Sequence, residues 1–178
     1  MDPIEIIKKY YPEDSVAYPI LIDHSRLVAD KAVHLALCHP ELHIDLPFVE
    51  QASMLHDIGM ILTHAPSIGC FGDRPYICHG YLGSDLLRAE GYPQHALVCE
   101  RHTGTGLSIT DILHINKGIP LRDMQPISIE EQLICFSDKF YSKSRSGVEK
   151  SVEKIRKSME KYGTHHVKRF DAWCELFL

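Results

Sequence analysis

Apolar residues recur at the 3.6-residue period of a helix through nearly the whole chain, and no stretch keeps the two-residue alternation of a half-buried strand. That pattern admits only helices packed on helices, so the fold class is all-α, a compact helical bundle. Cap and stop signals divide the stripe. Asp2-Pro3 opens a short helix to about Tyr11. A long helix spans about 20–38 and stops before Pro40, and Asp45-Leu46-Pro47 starts another that ends near Gly59. Residues 60–75, rich in Gly and Pro, read as a loop. Helices follow over about 78–90, closed by Gly91, and over about 93–102, with a short one near 110–116. Ser128-Ile129-Glu130-Glu131 has capping-box spacing and predicts a helix through about Lys143, followed by two more near 148–162 and 165–177.

At 178 residues and 44% hydrophobic content the chain suits one domain over 1–178 with a core of its own. The segment 148–178 is expected to pack on the bundle or to form a subunit contact, as in a homodimer. Nineteen Lys and Arg against 24 Asp and Glu leave a net charge of −5, which argues against a nucleic-acid polymer or a membrane surface as partner. No apolar run approaches the roughly 18 residues of a membrane span. The first residues, MDPIEIIKKYYPED, lack the apolar core of a signal peptide, and the expected location is cytoplasmic. Six cysteines without any C-x-x-C pair are read as reduced thiols.

Twelve histidines are the compositional oddity. On a helical wheel His24 falls inside the stripe of Ile20, Leu27, Val28 and Leu35, and His56 lies on that of Phe48, Val49, Ala52 and Leu55. His79 shares a face with Leu82 and Leu86, and His102 lies near Val98. Any one of them alone reads equally well as a hydrogen-bonded core histidine. Four imidazoles aimed inward from four helices need either partners for each ring or a metal. His56 and Asp57 are neighbours pointing about 100° apart, so they suit one small ion poorly. Two ions about 3.5–4 Å apart remove the difficulty, His56 holding one while the oxygens of Asp57 bridge both. Gly59 is expected to end that helix in the left-handed conformation.

The order His24, His56-Asp57, His79, His102, Asp138 resembles the HD superfamily of metal-dependent phosphohydrolases, in its HDIG variety. The local contexts carry the likeness: Asp23-His24-Ser25-Arg26-Leu27-Val28-Ala29, Met54-Leu55-His56-Asp57-Ile58-Gly59, Cys78-His79-Gly80-Tyr81-Leu82-Gly83-Ser84-Asp85, Glu100-Arg101-His102-Thr103-Gly104 and Phe136-Ser137-Asp138-Lys139-Phe140. The match extends over about 20–143. The resemblance implies an HD-type bundle in which His24, His56, Asp57 and Asp138 hold one metal, with His79 and His102 completing a second site. Asp138 depends on it most, because the wheel places this residue opposite the stripe of Ile129, Leu133, Phe136 and Phe140, where a solvated aspartate fits as well.

Imidazole and carboxylate donors suit divalent transition ions, two of Fe, Mn, Zn, Ni or Co. The implied activity is hydrolysis of a phosphate ester or anhydride of a small molecule, in particular a nucleotide, by a metal-activated hydroxide. Asp57, Asp138 and Lys139 form the expected catalytic set, Lys139 meeting phosphate as a point charge unless it is a solvated surface lysine. Weaker candidates for the pocket are Arg101, Asp73-Arg74, Thr103-Gly104-Thr105-Gly106 and His64, the last as an acid near the leaving group. Arg26 is read as a surface salt bridge on the side of Asp23 and Asp30. Two other classes share such ligands: a mixed-valent di-iron oxygenase and a non-catalytic nucleotide-binding sensor.

Overall fold

A computed structural model describes residues 1–144 and 147–178. Among the described residues the elements run α1 (Pro3–Lys8), α2 (Ala17–Cys38), α3 (Leu46–Leu55), β1 (His64–Ala65), β2 (Cys70–Phe71), α4 (His79–Ala89), α5 (Pro93–Arg101), α6 (Ile109–Ile115), α7 (Ile129–Asp138), α8 (Val152–Met159) and α9 (Thr164–Phe177). The helix starts follow from side-chain caps that satisfy otherwise orphaned amides. Asp2 accepts from the Ile4 amide and Asp45 from Phe48, while Ser128 accepts from Glu131 and Ser151 from Lys154. Glu131 does not close the box on Ser128. It takes the Ile127 amide at 2.7 Å and pairs with Arg101.

The all-α expectation holds, with one small exception in the 60–75 connection. It contains a 3₁₀ segment, Ile58–Leu62, and a two-residue antiparallel ladder pairing His64 with Phe71 and Ala65 with Cys70. Strands of two residues are too short for alternation to register in a sequence. α7 also stops five residues before the expected end. After Asp138 the amides of Lys139 and Phe140 turn back onto Phe136 and Ser137, and the chain leaves the helix axis.

Two buried clusters organise the bundle. One gathers Ala52 of α3, Val28 of α2 and an aromatic group from α7 and α9, Phe136, Phe170, Trp173 and Phe177. The other gathers Ile7 and Tyr11 near α1 with Leu21 of α2, Leu55 of α3, Ile58 and Leu87 of α4. The clusters meet along α2 and α3: Leu21 belongs to one and Val28 to the other, and His24 lies between them on the same helix. Ala52 and Leu55 divide α3 in the same way just before His56. All six cysteines are free. No helix among the described residues is long and apolar enough to cross a membrane.

Candidate metal centre

The structure brings all six expected ligands together, and Asp57 joins two groups of them. His24, His56, Asp57 and Asp138 form one set of donors, and Asp57, His79 and His102 form the other. The division runs through the carboxylate itself. Asp57 Oδ2 lies 3.2 Å from His24 Nε2 and 3.1 Å from His56 Nε2, whereas Oδ1 lies 3.3 Å from both His79 Nε2 and His102 Nε2. Asp138 Oδ1 stands 3.0 Å from His24 Nε2 and 3.4 Å from His56 Nε2. Asp138 therefore faces the interior, not solvent; α7 is covered well beyond its apolar stripe, with Ile134, Cys135 and Ser137 buried as well, so the face opposite Leu133 and Phe136 is not a solvent face.

Three of the four imidazoles are set by one local device. His56 and His102 are the C-cap residues of α3 and α5, and His79 follows a 3₁₀ turn over Tyr76–Cys78. Carbonyls near a helix end lack an amide partner. Here each accepts from the Nδ1 of the histidine three residues on: Ser53 O from His56 at 2.6 Å, Tyr76 O from His79 at 2.7 Å and Cys99 O from His102 at 2.7 Å. A carbonyl cannot donate, so each Nδ1 carries a proton and each ring turns its Nε2 inward, toward Asp57. Such fixing of the outer nitrogen is the usual support for a metal-binding histidine. Cys99 contributes twice, because its thiol also donates to His56 O at 2.9 Å.

The residues fit a bound cation. His79 and His102 hold their Nε2 atoms 2.9 Å apart, with both Nδ1 protons already committed to carbonyls. Two lone pairs facing one another at that distance repel, and a cation accepting both removes the conflict. The buried His56 Nε2 and both Asp57 oxygens also lack a well-directed hydrogen bond. Burial opposes the charge on Asp57, which is fully buried, yet the Lys143 ammonium and then His56 hold its carboxyl well below the usual range. Burial pushes His79 down to about 3 and lowers His102, which keeps both rings neutral. At His56 burial works in the same sense, but the neighbouring carboxylates of Asp57 and Asp138 outweigh it and raise the ring to about 9. A cation taking this nitrogen displaces a proton.

Gly59 does not adopt the left-handed conformation expected of it. A methyl group there would overlap the backbone at His79 and Gly83, so its role is to let the 3₁₀ segment touch α4. This contact sets α4 and therefore His79 against His56-Asp57.

The weaker candidates separate cleanly. Lys139 is at the centre, its ammonium 2.8 Å from Asp138 Oδ2 and 3.1 Å from the His102 carbonyl. Thr103, Gly104 and Thr105 line the cavity beside it. His64 is exposed and outside that lining, Arg101 is committed to Glu131, Arg74 to Tyr81 and the Gly118 carbonyl, and Asp73 is exposed. Arg26 makes its surface pair with Glu50 of α3 at 3.1 Å, across the helix interface and not with the acids of its own helix. Two participants went unread in the sequence. Lys143 reaches Asp57 Oδ2 at 2.5 Å because the chain turns after α7, and the Tyr76 ring stacks on His79 with centroids 4.7 Å apart. A continued helix hid the first, and Tyr76 is marked only by its place three residues before a histidine.

Asp138, His79 and His102 form part of the wall of a cavity of about 1260 Å³. Lys139, Lys143 and Lys150 line it as well.

The profile of the HD domain family matches residues 21–143, the stretch that carries all six ligands. An uncharacterised protein of Methanocaldococcus jannaschii is 28% identical over 145 residues, covering 79% of this chain and 78% of that protein. A tRNA (cytidine(56)-2'-O)-methyltransferase of Picrophilus torridus is 26% identical over 164 residues; the match covers 86% of this chain but 42% of that enzyme. Among solved structures, the HD domain of the L. monocytogenes phosphodiesterase PgpH superimposes with a TM-score of 0.57 at 19% identity, covering 89% of this chain and 81% of the other. The protein belongs to the HD-domain family.

Proposed function

We propose that the protein is a metal-dependent phosphohydrolase acting on a phosphate ester or anhydride of a nucleotide. The observation that carries this reading is the division of the buried Asp57 between two donor sets, of which His79, His102 and Asp138 line a cavity that also carries Lys139, Lys143 and Lys150. A pair of divalent transition ions there would supply Lewis acidity and lower the pKa of a water to about 7. His24, His56 and Asp138 would hold one, His79 and His102 the other, and Asp57 both. Lys139 and Lys143, salt-bridged to Asp138 and Asp57, would set positive charge beside a phosphoryl group bound at these ions. Lys150 extends that charge along the wall. The cavity exceeds the roughly 300–1,000 Å³ common for small-molecule sites, enough for a nucleotide. The likeness in fold to a phosphodiesterase HD domain supports the same class.

The test is elemental analysis of protein purified without chelator, then a phosphate-release screen over nucleotides with Mn, Fe(II), Ni and Co. Turnover in wild type together with loss of activity in Asp57→Ala is the expected outcome. Iron-dependent oxygen uptake without phosphate release would transfer the site to the oxygenase class, and nucleotide binding without turnover to a sensor.

A further inference from the structure

A second group of donors lies apart from Asp57, on the wall of the same cavity: Asp111, His165 and His166. Asp111 sits in the first turn of α6, where Ser108 is the cap. Its Oδ2 accepts from the Ser108 amide at 2.8 Å and the Ser108 hydroxyl at 2.6 Å, which fixes the carboxylate. Capping accounts for that oxygen alone. Oδ1 has His165 Nε2 at 3.0 Å and His166 Nε2 at 3.6 Å, both from the start of α9, more than fifty residues further along the chain.

One hydrogen bond explains His165. It does not explain the second imidazole. His166 is 4% exposed, and its Nε2 stands 3.6 Å from Asp111 Oδ1, longer than an ordinary hydrogen bond. Its Nδ1 lies 2.7 Å from the hydroxyl of Thr105, itself fully buried, so the ring is held with Nε2 toward the carboxylate. Arg169 donates to the Thr105 carbonyl at 2.6 Å, which ties this loop to α9 on the same side. The two rings are packed with centroids 4.2 Å apart. A fixed carboxylate oxygen, a buried imidazole oriented from behind and a second imidazole crowding the same point resemble the arrangement at Asp57. Two imidazoles and one carboxylate are the donors of a three-ligand transition-metal site, which keeps a further coordination position open.

We propose that Asp111, His165 and His166 bind one divalent transition-metal cation, independent of the Asp57 centre, linking α6 to α9 at the cavity wall. The proposal does not depend on the phosphohydrolase reading.

Full-length protein stripped with chelator and dialysed against Co²⁺ supplies the test, with bound metal counted by elemental analysis. One equivalent should be lost in His165→Ala, an exposed position that does not threaten folding, and the same equivalent should persist in Asp57→Ala. Thr105→Val should weaken that equivalent by roughly 10- to 100-fold, as expected when an orienting partner of a ligand is removed. A stoichiometry unchanged by His165→Ala overturns the site. So does an Asp57→Ala protein, folded by circular dichroism, that holds no cobalt. Should Asp57→Ala fail to fold, the comparison of wild type with His165→Ala still decides. Phosphate release tests the earlier reading separately, since either result can fail while the other stands.

Discussion

At the scale of single residues, steric room and burial matter as much as ligand chemistry. Gly59 lies where a Cβ would overlap backbone at His79 and Gly83, and backbone cannot rotate aside. Gly59→Ala should therefore cost about 1–3 kcal/mol or more in denaturant unfolding. The variant should also bind metal more weakly, because α4 carries His79; a fully stable, fully metallated variant would contradict the packing described. His95 gives a pH-dependent case away from the centre. Its Nε2 is buried without a hydrogen bond, its ring packs on Phe48 at 4.9 Å, and burial holds its pKa below the ordinary imidazole value. In the unfolded chain it protonates near about pH 6.5, so unfolding gains as the pH falls below that point. The stability tied to its neutral form is complete above about 6.5 and is lost toward the lower folded value. His95→Leu should remove this dependence. Thermal scans should show the variant gaining on wild type between about pH 7.5 and about pH 5.5, and a constant difference would refute the assignment.

At the scale of elements, the cap signals were the most legible part of the sequence, because a cap is a local contact. Asp2, Asp45 and Ser128, the caps read from the sequence, accept the amide two or three residues ahead; Ser108 and Ser151, which were not read as caps, do the same for α6 and α8. The inward histidines were legible for the same reason, through helical periodicity. What stayed hidden depends on where a helix stops. Neither the end of α7 at Asp138 nor the turn that brings Lys143 to Asp57 is written in periodicity, since residues 139–143 carry the helical pattern onward without a breaker. Asp138 was assigned by resemblance and not by its wheel position, and Asp111 with His165 and His166 drew no motif at all, because the histidines and their carboxylate are far apart in sequence. The C-terminal helix is better understood through packing. Trp173 of α9 is 2% exposed against Phe136, and its indole nitrogen donates to Gln132 at 2.9 Å. Trp173→Ala should lose roughly 3–5 kcal/mol, measured by equilibrium unfolding. A loss within the range of a surface substitution would mean that α9 is not part of the cooperative core.

At the scale of the whole molecule, the centre gathers His24 of α2, His56 and Asp57 after α3, His79 of α4, His102 after α5 and Asp138 of α7. Groups brought from so many elements exist as a site only when the chain is folded, so cation binding and folding are coupled. Transition metal at about 1,000 times its dissociation constant should add roughly 4 kcal/mol of stability over chelated protein. Calorimetry with and without chelator reads this directly. A melting temperature indifferent to metal would mean that the six side chains do not act together on an ion.

Cys99 works as a rivet between the two halves of that assembly. One sulfur-bearing residue engages His56 through its thiol and His102 through its carbonyl, so the offset between the half-centres is fixed at the width of a single amino acid. A slip of α5 by one position would misplace His102 and let go of the backbone at His56 in the same event, so neither half can be detuned while the other is spared.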